Sequence, residues 1–199
     1  NMFMNNRDHR KITVIDGKVG FTGGYNLADE YFNITHPYGY WKDTGIKLQG
    51  DAVKSLTASF LTMWNAIEHN DYNKYLDATD GTYKAVMKDC YVQPYSDNPL
   101  GQDRIGEDVY LNILKNAKDY VYITTPYLII TDEMERELRL AVKRGVDVRI
   151  VTPGIPDKKL VYRITRSYYE PLCSAGVRIY EYTPGFCHAK QWVCDDEVS

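Results

Sequence analysis

The sequence predicts an α/β protein built on a mixed, largely parallel sheet. Three observations carry this. From residue 106 onward, short β-branched runs alternate with stretches of helical period, the pattern of strand–helix–strand units. Two of the helical stretches end on glycine, at Gly145 and Gly176. Near the N-terminus a β-branched run meets Asp16-Gly17, a dipeptide that marks a hairpin. With 199 residues, 44% of them hydrophobic, the chain can bury a core in one or two domains.

The elements follow in order. KITVID (11–16) alternates polar and apolar residues and is β-branched, so it reads as a strand. The turn at Asp16-Gly17-Lys18 and a second short strand complete a hairpin over residues 9–26. Residues 27–38 read as loop or short helix, and 44–48 as a strand. Residues 51–68 have helical period: Leu56, Phe60, Met63, Trp64 and Ile67 share one stripe, read as core, with Asp51 as candidate N-cap. Residues 65–81 are rich in Asn and Asp without a period, and read as a linker. The second half is expected to open with a strand near Tyr91–Tyr95. A helix follows over 106–117, with Tyr110, Ile113, Leu114 and Ala117 inward. A buried strand spans 120–125. The helix at 131–144 has Thr131 or Asp132 as cap, acids in its first turn and Lys143-Arg144 in its last. A strand at 147–151, a helix over 158–175 interrupted at Pro171, and a strand at 177–182 complete the alternation.

One pattern occurs twice. HRKITVID places His9, Lys11 and Asp16 at the offsets that HAKQWVCD gives His188, Lys190 and Asp195; each pair differs by 179 (188 − 9, 190 − 11, 195 − 16). Only the first copy continues to a Gly-Gly-x-Asn, at Gly23, Gly24 and Asn26. Strand side chains alternate between faces, so His9 and Lys11 share one face, as do His188 and Lys190. Gly23-Gly24 permits positive φ and close backbone approach, which lets Asn26 reach the group that His9 and Lys11 hold.

Two imidazoles, two ammonium groups and an amide suit a phosphate. A neutral histidine can attack phosphorus, and a protonated one can supply the leaving oxygen with a proton, then act as base. The lysines offset charge on the phosphoryl oxygens. Asp16 and Asp195 complete each copy; lying near a turn, they are expected to act through turn or salt bridge rather than by proton transfer. No cofactor or metal is expected, since no zinc-ligand spacing and no P-loop is present. His36 and His69 are expected at the surface.

Composition bounds the partners. Net charge is −3 and the pI about 5.8, which argues against a nucleic-acid partner. Residues 134–170 hold nine Lys/Arg against five Asp/Glu, read as a solvated helix face or a rim for anionic headgroups. No apolar run reaches the length of a membrane span. Cys90, Cys173, Cys187 and Cys194 lack C-x-x-C spacing and are expected reduced, with Cys187 and Cys194 as small buried hydrophobes.

The duplicated motif resembles the signature of the phospholipase D superfamily. More narrowly the chain resembles bacterial cardiolipin synthases, on FTGGYNLADEY (21–31), Trp41-Lys42-Asp43-Thr44, RGVDVRIVTPG (144–154), DKKLVYRITRSYYEPLCSAGVRIYEY (157–182) and PGFCHAK (184–190). The resemblance implies a phospholipase D-like α-β-α sandwich in two halves. Residues 1–70 would be the end of the first half, 71–90 a linker, and 91–199 the second half, cut within its motif. It gives Asp43 the task of orienting a motif histidine through its other ring nitrogen. The loops 125–127, 152–154 and 184–186 would form the lipid mouth, with Tyr168 and Tyr169 lining it.

The function implied is phosphatidyl transfer between two phosphatidylglycerol molecules, giving cardiolipin and glycerol through a phosphohistidine. His9 would be nucleophile and His188 general acid, then base. Lys11, Lys190 and Asn26 would hold the phosphoryl oxygens. The chain reads as an excised, soluble fragment with no transmembrane segment and little turnover of its own. The full-length protein is expected at the cell membrane, facing the cytosol. A sheet edge left open by the missing part would favour a homodimer. The rival readings are a nuclease or other phosphodiesterase of the same superfamily, and a non-catalytic module that binds anionic lipid.

Overall fold

A computed structural model describes residues 8–69, 72–76, 90–97 and 103–199. It divides into two compact units that do not follow the chain: residues 24–44 belong with 99–199, and residues 1–23 with 45–98. Most of the linker expected at 71–90 lies outside the described residues; a short helix is described within it.

The first unit is an antiparallel meander, β1 (Ile12–Ile15), β2 (Val19–Gly23) and β3 (Gly45–Gln49), with helix α1 (Ala52–Trp64) and the short α2 (Tyr72–Leu76). Asp16 and Gly17 turn the hairpin at φ 53° and 65°, and Lys18 N–H closes it on the Ile15 carbonyl at 3.0 Å. Two successive left-handed residues match the twist of the flanking strands. Val53, Leu56 and Leu61 are the buried apolar residues of α1, and Val53 and Leu56 pack with Leu48. Leu56 seats on Gly20 of β2, where an added Cβ would stand 2.7 Å from its Cδ1.

This corrects the expected core stripe. Phe60, Met63, Trp64 and Ile67 are 45%, 44%, 48% and 89% exposed. The helix turns the stripe Val53, Leu56, Thr57, Leu61 inward, and the expected stripe shares only Leu56 with it. The Gly20 seat sets that rotation. Phe60 and Trp64 instead stack on each other at 5.8 Å and, with Val14, Leu61 and Tyr75, line an open groove of about 740 Å³. Asp51 makes no side-chain cap bond; its carboxylate pairs with Lys54 at 3.5 Å.

The second unit centres on a four-stranded sheet of order β6-β5-β4-β7: β4 (Tyr120–Thr124), β5 (Asp147–Pro153), β6 (Arg178–Tyr182) and β7 (Gln191–Cys194). β4, β5 and β6 run parallel, and β7 runs antiparallel beside β4. The mixed, largely parallel sheet is as expected. Helices α3 (Ile105–Asn116), α4 (Asp132–Lys143) and α6 (Tyr169–Ser174) bury Leu111, Leu114, Met134, Leu138 and Leu172 against Val121, Ile123, Val148 and Ile150. The opposite sheet face carries Tyr122, Arg149 and Tyr180, with Tyr122 and Tyr180 exposed. Thr131 caps α4 by accepting from Met134 N–H, and Gly145 follows at φ 95°.

Two further expectations are corrected. Residues 90–97 form no strand; Pro94 removes a donor there, and Tyr91, Val92 and Tyr95 are exposed. The 158–175 helix breaks at Tyr168 rather than at Pro171, into α5 (Lys159–Ser167) and α6. A proline cannot donate to the carbonyl four residues back, here Ser167, so the break falls one turn upstream of it. Tyr168 and Tyr169 pack on the core and bond Ile130 O at 3.1 Å and Thr152 Oγ1 at 2.6 Å.

Candidate active site

The first motif pair forms within its own unit. Lys11 Nζ lies 3.1 Å from His9 Nδ1 and donates to the His9 carbonyl at 2.6 Å. The side chains share a face, as residues two apart on extended backbone must. Asp16 is exposed in the hairpin turn.

In the second unit, residues 39–44 run alongside 184–188. Tyr40 N–H donates to Pro184 O at 2.9 Å, Lys42 N–H to Phe186 O at 3.0 Å, and His188 N–H to Lys42 O at 2.7 Å. Gly185 makes this approach possible, because a side chain there would overlap the Tyr40 backbone. The pairing delivers Asp43 to His188: Asp43 Oδ2 lies 2.7 Å from His188 Nδ1, and each side chain is only 8% exposed. Asp43 Oδ1 accepts from Thr44 N–H at 2.9 Å. The second lysine repeats the behaviour of the first, with Lys190 Nζ 2.8 Å from His188 Nε2 and donating to His188 O at 2.7 Å.

This network assigns the ring proton. An ammonium group has no acceptor, so Nε2 must receive from Lys190, and Nδ1 then carries the hydrogen that goes to Asp43. A carboxylate on Nδ1–H fixes the ring's orientation and tautomer. His188 therefore has an unprotonated Nε2 facing Lys190 Nζ.

Aromatic rings enclose it. Tyr31 meets His188 edge-on at 5.5 Å, Trp41 lies at 5.2 Å and Phe186 at 5.8 Å. Trp41 Nε1 also points at Asp43 Oδ2, at 3.4 Å. Asn26 donates to Tyr31 Oη at 2.6 Å, and burial pushes the Tyr31 phenol above its ordinary range. These rings are the part that sequence reasoning missed. Phe186 lies two residues before His188, but nothing in the spacing shows that Tyr31 and Trp41 converge on the same ring.

Asp195 belongs to neither pair's chemistry. Its carboxylate accepts from Lys118 N–H at 2.8 Å, Asp119 N–H at 3.0 Å and Tyr120 N–H at 2.7 Å, and these bonds hold its pKa below the usual carboxylate range. It ties the β7 turn to the start of β4. Among the described residues, no cluster of three His, Cys, Asp or Glu could hold a metal ion.

Residues 110–199 match the family model described as "Cardiolipin synthase, PLD-like domain". These residues are similar to a phospholipase D-like domain of the cardiolipin synthase type. Its curated relatives agree. The chain is 37% identical over 199 residues to a cardiolipin synthase of Halalkalibacterium halodurans, and 37% identical over 199 residues to the major cardiolipin synthase of Bacillus subtilis, in both cases over 100% of this chain. It is 51% identical over 194 residues, 98% of its length, to an uncharacterized protein of Streptococcus mutans. The chain spans 39%, 41% and 42% of the lengths of those relatives, respectively. In fold it is similar to the phosphatidylserine synthase of Haemophilus influenzae, with a TM-score of 0.56 at 14% identity over 94% of this chain and 52% of that one.

Proposed function

We propose that the protein is a cardiolipin synthase that moves a phosphatidyl group from one phosphatidylglycerol to another. The observation that carries this is the chain from Asp43 to His188 and Lys190 of the second motif copy, with a His–Lys contact also made in the first copy, there through Nδ1 of His9. His9 attacks phosphorus, and the bond to the glycerol oxygen breaks. His188, protonated at Nε2, gives its proton to that oxygen, releasing glycerol. The hydroxyl of the second phosphatidylglycerol then passes its proton to His188 and attacks the phosphohistidine, which frees His9 and yields cardiolipin. Lys11, Lys190 and Asn26 stabilise the phosphoryl oxygens. The 2.7 Å carboxylate contact suits His188 to a role in which it gains and loses a proton in each cycle. A lipid substrate fits a complete protein that works at the membrane surface. No helix among the described residues is long and apolar enough to cross a membrane.

The test extends the protein at both ends to the length of its relatives and supplies phosphatidylglycerol vesicles. Cardiolipin and glycerol in equal amounts are expected, lost in His9→Ala and His188→Ala. Phosphatidic acid alone would make it a hydrolase, and nicking of a plasmid without lipid products would make it a nuclease.

A further inference from the structure

The first motif ends in Gly23-Gly24, and positive φ does not explain the second glycine: neither residue adopts it. Gly23 closes the β2–β3 ladder opposite Gly45. Gly24 begins the segment that belongs to the second unit, where its N–H donates to Thr44 O at 3.1 Å. That bond lays the Gly24 backbone directly against the residue next to Thr44, which is Asp43. An added Cβ at Gly24 would overlap Asp43 Oδ1 and stand 3.1 Å from Cγ and 3.2 Å from Oδ2. Its three nearest neighbours are thus all atoms of one carboxyl group.

That carboxyl has little freedom to yield. Oδ1 is held by Thr44 N–H, Oδ2 by His188 Nδ1, and Trp41 Nε1 stands 3.4 Å from Oδ2. The Asp43 and His188 side chains are 8% exposed, so little solvent space is open to a displaced carboxylate. A methyl group at position 24 has to push the carboxylate off Thr44 N–H, off His188, or both.

We propose that Gly24 is a positioning residue for His188: by lacking a side chain it leaves the space in which the Asp43 carboxylate holds the ring in its Nδ1–H form. The glycine of the first motif copy thus serves the histidine of the second. The kinetic side of this rests on the phosphatidyl-transfer reading; the geometric side does not.

The test is a double-mutant cycle with two readouts. In the protein labelled with ¹⁵N-histidine, the parent shows a hydrogen-bonded proton on His188 Nδ1. Gly24→Ala removes that signal or moves the proton to Nε2. In the lipid-transfer assay of the protein extended to its relatives' length, Gly24→Ala lowers kcat about 100-fold, the scale of a misplacement near 1 Å, with KM for phosphatidylglycerol within about twofold. Asp43→Ala removes the three atoms that the methyl would meet. Gly24→Ala added to Asp43→Ala therefore causes no further loss, in spectrum or in rate. If Gly24→Ala alone fails to fold while the double variant folds, the clash with the carboxylate is established by that route. Retention of the Nδ1 proton in Gly24→Ala would overturn the proposal. So would a double variant that loses as much again as Gly24→Ala does alone, or that fails to fold with it. Absence of cardiolipin from the parent would sink the phosphatidyl-transfer reading and leave the spectroscopic outcome to decide Gly24.

Discussion

Asp16 and Asp195 stand 179 residues apart and hold the same left-handed backbone conformation, at φ 53° in each. Each is followed by a second left-handed residue, Gly17 at 65° and Asp196 at 57°. Each turn is closed by the same bond, Lys18 N–H to Ile15 O at 3.0 Å and Glu197 N–H to Cys194 O at 2.9 Å. Aspartate tolerates this conformation better than most residues. The repeat in the sequence is therefore a repeat in backbone: a His–Lys pair on extended chain, a four-residue strand, then a two-residue turn.

Asp195 is also an anchor, and its loss should be felt in stability. Asp195→Ala leaves three backbone N–H groups at 118–120 without their carboxylate and is expected to cost about 2 kcal/mol, read as a lower urea midpoint. The folded-state pKa lies below the unfolded one, so this contribution is complete above the ordinary carboxylate pKa, near 4, and is lost as pH falls through the folded value. Asp195→Asn should flatten that part of the acid-side stability curve.

The contact between Asp43 and His188 predicts a tautomer effect separate from any steric one. Asp43→Asn keeps the shape but offers an amide that can donate to Nδ1. It favours the wrong tautomer and should reduce lipid transfer by roughly 10³-fold with little change in folding. Equal loss from Asp43→Glu, which retains a charge, would point to shape alone.

In the first unit, Leu56 and Trp64 should behave oppositely to what their sizes suggest. Leu56, 5% exposed and seated on Gly20, should cost roughly 2–4 kcal/mol as Leu56→Ala. Trp64, 48% exposed, should cost under about 1 kcal/mol as Trp64→Ala. Thermal melts of both variants would decide the rotation of α1.

The cysteines divide by burial. Burial raises the thiols of Cys187 and Cys194, the latter to about 11, while Cys90 and Cys173 are exposed. A disulfide reagent at pH 8 should modify Cys90 and Cys173 in the native protein and reach Cys187 and Cys194 only after denaturation, because the thiolate is the reactive form. Rapid modification of all four would contradict the packing around the second motif.

The sequence by itself determined most of the elements and the spacing of the motif residues. Local rules set the Asp16-Gly17 turn, the Thr131 cap, the Gly145 stop, and the pairing of each lysine with the histidine two residues before it. These depend on backbone sterics and on side chains only a few residues apart, which is why they are legible in one dimension. The duplicated motif was legible for the same reason, as spacing. What tertiary structure decided lies in contacts across long separations. That residues 24–44 join the second unit, that Asp43 meets His188 and that Tyr31 and Trp41 wall the ring in are contacts between distant chain segments, 145 residues apart for Asp43 and His188. The inward face of α1 was misread because helical period alone cannot choose between two overlapping apolar stripes. On the neighbouring strand, the bare position at Gly20 seats Leu56.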